Sequence, residues 1–355
     1  YDSKSGERGI YNGMSAKKTV EQLNERYKDG DGEFITRRIA KEDFGTNPCS
    51  EIILRSREFC NLSECVVRRE DTRESLKEKV RTAAILGTFQ STLTEFKYLS
   101  REWKKNCEEE RLLGVSLTGI MDNPLTNGSK KGLAELLEEL RNVAYETNKE
   151  WSEKLGIPTS AAITCVKPSG TVSQLVDSAS GIHARHNPFY IRTVRADNKD
   201  PLCKLMQDME FPNEADVTKP EHTTVFSFPM KTPKGAICRM DMTALEQLEL
   251  WKVYATNWCE HKPSVTISVK EDEWVEVAAW VYEHFDSISG ISFLPFSDHV
   301  YRQAPYQDCT EEEYKEALKT MPKNVDWAEL SKYESQDYTI ASQELACTAG
   351  GCEII

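Results

Sequence analysis

Hydrophobic and polar residues follow two different periods along the chain. Apolar residues three or four positions apart predict helices over residues 74–90, 132–150, 243–258 and 271–285. Short apolar runs between them are typical of buried strands: CNLSECVV, LLGVSLTGI, AAITCVK, TTVFSF, SVTISV and GISFLPF. Strands that alternate with helices at this spacing predict an α/β sheet or barrel.

Two segments interrupt this pattern with turn-forming residues, at 122–132 and 198–222. The second is predicted to be a loop that separates two subregions. After residue 337 the pattern fades into YTIASQELACTAGGCEII, and its small residues predict a mobile tail.

The composition limits the class of protein. A chain of 355 residues with a net charge of -13 can form one large or two smaller domains, and non-specific binding to nucleic acid or an anionic membrane is not expected. Because there is no signal peptide, no membrane-length apolar run and no disulfide framework among the eleven cysteines, we expect a reducing, cytoplasmic location. The chain opens at Tyr1 inside patterned sequence, which suggests a fragment, a split gene or a processed chain.

The first stretch with candidate chemistry is TNPCSEIILRSREFCNLSEC, residues 46–65. In an extended chain Asn47, Cys49 and Glu51 would point to one side. An amide, a thiol and a carboxylate are the parts of an acid–base or radical site, although a single cysteine is more often a small buried hydrophobe. A hydrolytic cysteine would need a histidine base, and no pattern ties the close pair in GIHARH, residues 181–186, to this thiol.

Two further cysteine patterns raise the question of redox or metal chemistry. Cys347 and Cys352 in CTAGGC are separated by four small residues, which favours a thiol–disulfide exchange arm over half a metal site. Cys259 and His261 in WCEH could be half of a metal site, but without matched partners packing is the commoner role. No metal site is therefore predicted.

A fourth candidate is CVKPSGTVSQLVDSASGIHARH, residues 165–186. Ser169 or Thr171 is predicted to cap a helix that starts near Val172, and the free N–H groups of that helix could bind an anion. Lys167 adds positive charge nearby. The alternative is an ordinary helix cap with solvated charges, and the absence of a Walker A pattern gives no support to ATPase chemistry.

Together these segments resemble the adenosylcobalamin-dependent (class II) ribonucleotide reductases, specifically the monomeric ribonucleoside-triphosphate reductases. The resemblance rests on TNPCSEI with FCNLSE, GVSLTGI, KPSGTVSQLVDSASGIHARHNPFYIRTVR, VFSFPMK, EQLELWKVYATNWCEHKPSVTISVKEDEWVEVAAWVYEHFD, GISFLP, QAPY and CTAGGC. Ser50 stands where the family usually has Gly, and Arg8 where it usually has Pro. Only the C-terminal half of the family is matched, so an N-terminal half is expected as a partner.

The resemblance implies a fold and a division of the chain. The fold would be the second half of a ten-stranded α/β barrel with a central finger loop that bears the radical cysteine. Residues 1–200 would form the catalytic half-barrel with its finger and phosphate loops. Residues 201–337 would complete the barrel and contact cobalamin, and residues 338–355 would be a flexible redox tail.

The resemblance also implies roles for individual residues. Adenosylcobalamin would generate a thiyl radical at Cys49, Glu51 would be the general base for the ribose 3′-OH, and Asn47 would orient the sugar. Cys60 would be one of two reducing thiols, and its partner is expected on the N-terminal half. Cys65 is a possible local substitute, although on a strand beginning at Cys60 it would face the opposite side. Cys347 and Cys352 would reduce the resulting disulfide and be recharged by thioredoxin.

Substrate and cofactor contacts follow from the same resemblance. The ribonucleoside triphosphate would bind at Pro168, Ser169, Gly170 and Thr171. Cobalamin would lie against residues 206–267 and 301–340, and an apolar wall against the corrin would suit the aromatic residues Trp251, Trp258, Tyr301 and Tyr306. The alternatives are a cobalamin- or nucleotide-binding remnant without turnover and a thiol–disulfide carrier. A di-iron-dependent relative is disfavoured because no tyrosine relay pair is evident.

Overall fold

The computed structural model describes residues 9–41, 43–296 and 301–334, and these residues form a mixed α/β fold, as predicted. The α-helices are α1 Gly13–Asn24, α2 Arg73–Gln90, α3 Arg101–Glu110, α4 Leu133–Leu155, α5 Val172–Leu175, α6 Pro201–Asp208, α7 Ala244–Asn257, α8 Trp274–Glu283, α9 Glu311–Thr320 and α10 Leu330–Tyr333. The strands are β1 Gly9–Tyr11, β2 Gly45–Thr46, β3 Ile53–Leu54, β4 Asn61–Val66, β5 Leu113–Thr118, β6 Thr164–Cys165, β7 Phe189–Asp197, β8 Asn213–Ala215, β9 Thr223–Lys231, β10 Thr266–Val269, β11 Gly290–Pro295 and β12 Tyr306–Asp308. Within these residues no helix combines the length and the apolar character needed to cross a membrane.

The chain divides into two compact units. The first takes residues up to Ala184 together with Gly235–Phe296, and the second takes Arg185–Lys234 with the described residues that follow Phe296. The second unit is therefore built from two separate stretches of chain. The functional regions predicted with limits at residues 200 and 337 are a different division, and they stay a prediction.

Parallel strands form the centre of the first unit. Strand β5 pairs in parallel with β4 and β6, and β10 pairs in parallel with β11, whose other edge takes antiparallel β1. A parallel bridge between Val166 and Pro263 joins the β6 side to the β10 side. In the register of β4 and β5, Leu62 lies opposite Gly114 and Glu64 opposite Ser116. Because side chains alternate along a strand, these four residues share one face of the sheet.

The helices that cover these strands follow their sequence signals. Helix α2 starts at a reciprocal cap between Thr72 and Ser75. Helix α4 ends at Gly156, whose φ of +66° is a conformation that favours glycine. One shared core contains apolar residues of both helices and of the strands, among them Leu76, Val80, Ala84, Val115, Leu117, Leu137, Leu140 and Ala144. The helices predicted over 74–90, 132–150 and 243–258 are confirmed with small shifts of their ends.

Two sequence expectations about helices are corrected. The segment predicted as a helix over 271–285 begins as a 3-10 turn, Glu271–Glu273, and α8 follows it. The segment 198–222, predicted as a loop, contains α6. Asp200 caps this helix, Pro201 occupies its first turn, and Cys203, Leu205 and Met206 form its buried face.

The second unit is built around an antiparallel sheet with the order β12-β7-β9-β8. The long pair β7 and β9 runs in register from Phe189 opposite Lys231 to Asp197 opposite Thr223. Buried Cys203 and Phe211 pack with Phe226 of β9 in a small core of their own.

Candidate active site

The candidate loop is held at its base by a short antiparallel pair. Gly45 lies opposite Leu54 and Thr46 opposite Ile53, so residues 47–52 form the turn between β2 and β3. The turn closes through a hydrogen bond of 2.9 Å from the Ser50 amide to the Asn47 carbonyl. Ser50 has a φ of +66°, in the left-handed region. The same-side argument from an extended chain is therefore wrong here, because a turn sets the positions of these side chains.

Asn47 uses its side-chain oxygen to close the loop. Its Oδ1 accepts hydrogen bonds from the Ile52 amide at 3.0 Å and from the Thr46 hydroxyl at 3.4 Å. This leaves the Nδ2 amide as the donor that Asn47 can offer to another group. Cys49, two residues further on, is half-buried.

Glu51 is the most enclosed residue of the loop, with no exposed side-chain area. Its Oε1 lies 3.4 Å from the Lys167 ammonium, and its Oε2 is buried without a hydrogen-bond partner among the described residues. Burial alone would lower the pKa of Lys167, but the Glu51 carboxylate and Cys49 raise it above its ordinary value. Lys167 therefore lies within electrostatic range of both residues of the loop, and Oε2 remains as an acceptor.

Cys60 lies against the inner side of this loop. A β-carbon on Gly114 would lie 3.1 Å from the Cys60 Sγ and 3.1 Å from Ile52 Cδ1, so both side chains meet over a glycine. Burial raises the pKa of the Cys60 thiol well above its ordinary value, and the Glu51 carboxylate adds to the shift. The chain thus folds back as predicted and brings Cys60 to the candidate loop.

The neighbouring cysteines are placed differently. Cys65 is buried in the core shared with α2, so it faces away from Cys60 as the sequence predicted. Cys165, on β6, lies opposite Ser116 of β5 and therefore level with Glu64, so it is two strands across and four residues along from Cys60. A disulfide needs α-carbons within about 7 Å, which excludes a Cys60–Cys165 pair without a backbone movement.

The predicted phosphate loop has a less regular geometry than expected. Helix α5 has only four residues, and neither Ser169 nor Thr171 caps it with a side-chain hydrogen bond, so the predicted cap is wrong. Ser169 is instead buried in a left-handed conformation with a φ of +57°, whereas Gly170 and Thr171 are exposed. Next to this loop, a β-carbon on Gly181 would come within 2.4 Å of the Lys167 carbonyl, so only glycine fits there.

A second carboxylate, that of Glu64, lies between the two loops. Burial raises the pKa of Glu64 above its ordinary value. Ser169 and Lys167 act against this rise, and the Glu51 carboxylate adds to it. Its Oε1 is buried without a hydrogen-bond partner in the part of the chain that the structure describes. The sequence contained a signal for this residue, because Glu64 lies four residues after Cys60, an even spacing that places two residues on the same side of an extended chain.

Three consecutive residues, Glu260, His261 and Lys262, hold the base of the site. Glu260 bonds the Ile163 amide at 2.8 Å and forms an ion pair with Arg37. The His261 Nδ1 accepts from the Ile53 amide at 3.2 Å, and its Nε2 lies 2.9 Å from the Leu113 carbonyl. Lys262 donates its amide to the Glu51 carbonyl at 3.2 Å and its ammonium to the Ser50 hydroxyl at 2.6 Å. Sequence reasoning missed all three as site residues.

These contacts decide the question of a metal site at WCEH. Both ring nitrogens of His261 are already bonded, and Cys259 is buried in the core, so packing is the correct interpretation. Burial lowers the pKa of His261 to about 3, and the ring stays neutral at physiological pH. No cluster that could hold a metal ion occurs among the described residues.

Arg38 connects the loop to two buried acids behind it. Its guanidinium donates to the Ile53 carbonyl at 2.9 Å and lies 3.2 Å from Glu58 and 2.8 Å from Glu110. Burial raises the pKa of Glu58 to about 8, and Glu110 adds to the rise while Arg38 opposes it. The Glu58 charge in turn contributes to the raised pKa of Cys60.

Other predicted residues lie away from this cluster or outside the described residues. His183 bonds the Ser180 carbonyl at 3.0 Å and the Thr266 amide at 3.0 Å, so neither ring nitrogen is available as a base. Trp251 and Trp258 are buried, with indole N–H groups bonded to Pro263 and Cys165 carbonyls, so the expectation that they face a corrin is wrong. Cys347 and Cys352 lie outside the described residues.

Comparison with known proteins supports the resemblance drawn from the motifs. No family model matches the chain. Adenosylcobalamin-dependent ribonucleoside-triphosphate reductase of Lactobacillus gasseri is 26% identical over 99% of this chain and 49% of its own length. The protein of the same name from Euglena gracilis is 29% identical over 79% of this chain and 38% of its own length. The chain thus spans about half the length, or less, of these curated relatives.

Solved structures show the same fold. A crystal structure of B-12-dependent (class II) ribonucleotide reductase superposes with a TM-score of 0.76 at 24% identity, covering 94% of this chain and 49% of that one. The class Id ribonucleotide reductase alpha subunit of Actinobacillus ureae gives a TM-score of 0.51 at 12% identity, covering 83% of this chain and 59% of that one. At these identities the likeness shows the fold alone.

Proposed function

We propose that this chain, whose relatives along nearly its whole length are adenosylcobalamin-dependent ribonucleoside-triphosphate reductases, is the radical-cysteine half of such an enzyme. The reaction would convert ribonucleoside triphosphates to 2′-deoxyribonucleoside triphosphates. One observation carries the proposal: the turn at residues 47–52 holds a half-buried thiol at Cys49 two residues from Glu51, whose buried Oε2 has no partner among the described residues.

Adenosylcobalamin, when bound, would supply the organic radical that starts the reaction. The residues fit this role at Cys49, because its half-buried thiol can be reached from outside the loop. Trp251 and Trp258 do not fit a corrin contact, since both are buried in the core. The cofactor contacts proposed at residues 206–267 and 301–340 would then fall on other side chains.

In the proposed reaction Cys49 exchanges a hydrogen atom with the ribose 3′-carbon. The S–H and ribose C–H bonds are similar in strength, so this transfer is reversible. Glu51 takes the 3′-OH proton at Oε2, and the Nδ2 amide of Asn47 donates a hydrogen bond to a sugar hydroxyl. Lys167, 3.4 Å from Oε1, stabilises the Glu51 carboxylate while Oε2 faces the substrate.

Loss of the 2′-OH as water requires two electrons and protons, which thiols would supply. Cys60 is one of these thiols, and its high pKa keeps it protonated until it reacts. Its disulfide partner would come from the N-terminal half. The dithiol Cys347 and Cys352 would then reduce that disulfide by exchange and be reduced by thioredoxin.

The triphosphate would bind at Pro168–Thr171. The amides of Gly170 and Thr171 donate no hydrogen bond within the described residues, and both residues are exposed. Free backbone N–H groups in such a turn form a site for phosphate oxygens. Lys167, at the start of this loop, would lie between the phosphates and Glu51.

The N-terminal half would complete the barrel. In the described residues β4 pairs on one side only, with β5, so its other edge can accept another strand. This edge begins next to Cys60, which is where a second reducing thiol is needed. The catalytic half-barrel at 1–200, the cobalamin-contacting region at 201–337, the redox tail at 338–355 and a cytoplasmic location belong to the same proposal.

The test combines the chain with an N-terminal half, adenosylcobalamin and a dithiol reductant, and measures deoxynucleotide formation. We expect turnover with the wild-type chain and none with Cys49→Ala. A change in the corrin spectrum without any deoxynucleotide would indicate a binding remnant instead. Disulfide exchange with no effect on the corrin spectrum would indicate a thiol–disulfide carrier.

A further inference from the structure

The left-handed conformation of Ser50 requires an explanation. A φ of +66° is unfavourable for any residue with a β-carbon. Ser50 is also the residue between Cys49 and Glu51, so its backbone angles fix how these two side chains are placed relative to each other. Some contact must therefore hold the turn in this shape.

The contact comes from Lys262. Its ammonium donates a hydrogen bond of 2.6 Å to the Ser50 hydroxyl and lies 3.5 Å from the Ser289 carbonyl. It also faces the ring of Tyr11, with 5.0 Å between Nζ and the ring centroid. Lys262 is only 1% exposed, so its side chain is enclosed by these groups.

A glycine makes room for this arrangement. A β-carbon at Gly290 would lie 2.1 Å from the Lys262 Nζ and 2.9 Å from the Ser50 hydroxyl. Any larger residue would therefore displace the ammonium from the hydroxyl. Gly290 is needed for space, since its φ is not among the positive values.

Lys262 also bonds the loop through its backbone amide, and the Glu51 carboxylate of the loop offsets part of the cost of burying the Lys262 ammonium. Its amide donates to the Glu51 carbonyl at 3.2 Å, so one residue is bonded to both Ser50 and Glu51. Burial lowers the pKa of the Lys262 ammonium to about 7, and the Glu51 carboxylate opposes this shift. A buried cation with one hydroxyl, one carbonyl and one nearby carboxylate is stabilised only while the turn keeps its shape.

We propose that Lys262 is a positioning residue for the proposed radical site, which holds Ser50 in its left-handed conformation and thereby fixes Cys49 beside Glu51. This inference rests on the proposed function for the meaning of the site, but the contact itself does not depend on turnover. Glycine at position 50 would adopt a positive φ at little cost. Serine needs the hydrogen bond from Lys262 to stabilise the same conformation.

The test measures the rate at which iodoacetamide alkylates Cys49 in the full chain, followed by peptide mass analysis. Lys262→Met is expected to release the turn and to speed alkylation of Cys49 by roughly tenfold, the size of one ordinary hydrogen bond. Ser50→Ala removes the same bond from the other side and is expected to give the same increase. Lys252→Met is the matched control, because Lys252 lines the same cavity beside Lys262 without a contact to the turn.

The decisive comparison repeats the lysine change in a Ser50→Gly background. Glycine keeps the left-handed turn by itself, so Lys262→Met is expected to change the Cys49 rate less than twofold there. An unchanged or slower rate for Lys262→Met or Ser50→Ala in folded protein would overturn the inference, as would an equal effect of Lys262→Met with serine and with glycine. Because alkylation needs no cofactor or substrate, this result is independent of whether the reassembled enzyme makes deoxynucleotide.

Discussion

The Lys167 ammonium lies 3.4 Å from one carboxylate oxygen of Glu51, while the other oxygen is buried with no partner among the described residues. The two residues are 116 positions apart in the sequence. The two oxygens of the Glu51 carboxylate therefore differ: Oε1 is bonded to Lys167, and Oε2 can accept a proton. A base in an active site needs this difference, because it must keep its orientation while it accepts a proton.

The first prediction concerns Glu51. Glu51→Gln keeps the shape and the contact with Lys167 but removes the ability to accept a proton, so deoxynucleotide formation by the reassembled enzyme should fall by about 100-fold or more. Glu150→Gln is the control, because that carboxylate is partly exposed and its ion pairs within the described residues are with Arg81 and Lys154. A Glu51→Gln enzyme with at least half of the wild-type rate would contradict the assigned role.

The second prediction compares Cys60, which immediately precedes β4, with Cys65 inside that strand. Cys60→Ser should abolish turnover, because the thiol beside Ile52 and Gly114 can no longer be oxidised to a disulfide. Cys65→Ala should leave turnover within about twofold, because Cys65 is packed in the core on the other face of the strand and the cavity is small. Multiple-turnover assays with a dithiol reductant measure both. If the two variants lose activity equally, Cys60 has no special role.

The third prediction concerns the buried charges behind the loop. Arg38→Met removes a buried cation from the acids Glu58 and Glu110 and leaves them with Arg55, which lies 3.6 Å from each, so the free energy of unfolding should fall by about 3 kcal/mol. Lys17→Met is the control, because its ion pair with the exposed Asp43 should contribute at most about 1 kcal/mol. Urea unfolding at pH 7 measures the difference. Equal losses for the two variants would show that the buried network does not stabilise the loop.

The fourth prediction concerns pH. Burial lowers the pKa of His261 to about 3 in the folded chain from an ordinary 6.5, so the unfolded chain binds one more proton between these values. This histidine therefore lowers the free energy of unfolding as the pH falls from 6.5 towards 3. His261→Gln can still donate and accept but cannot titrate, so its loss of stability between pH 7 and pH 4.5 should be smaller. Identical pH dependence of the wild type and the variant in urea unfolding would contradict this.

The sequence predicted the parts of the site that lie close together along the chain. Asn47, Cys49, Glu51 and Cys60 belong to one quoted stretch, and their fold-back required only a turn followed by a strand. The apolar periods also predicted α2, α4 and the parallel strands, because each buries a continuous apolar face.

The residues that hold this stretch in place could not be predicted in the same way. Lys167 and Lys262 reach the loop from distant segments, and their roles depend on which strands become neighbours. The run Glu260, His261 and Lys262 did carry a signal, since three consecutive polar residues lie shortly before the apolar stretch of β10. Buried polar groups need partners, and those partners became visible only when Ile53, Leu113 and Ser50 were brought against them.

Two predictions from local residue types were wrong: the helix cap at Ser169 or Thr171, and the loop over residues 198–222. Ser169 and Thr171 have the residue types of helix caps, but a four-residue helix and a left-handed Ser169 place their side chains elsewhere. The segment 198–222 reads as a loop because of its prolines and charges. Its helix α6 nevertheless forms, since Pro201 is compatible with a first turn and the apolar residues pack against β9.

Deoxynucleotide formation by the reassembled enzyme with Cys49→Ser, in the presence of adenosylcobalamin and a dithiol, is the most direct test of a thiyl radical at Cys49. Serine keeps the size and polarity of the side chain, but its O–H bond is too strong to exchange a hydrogen atom with ribose. We expect that no deoxynucleotide forms above background while the triphosphate still binds. Deoxynucleotide formation by this variant at a rate within tenfold of the wild type would contradict it.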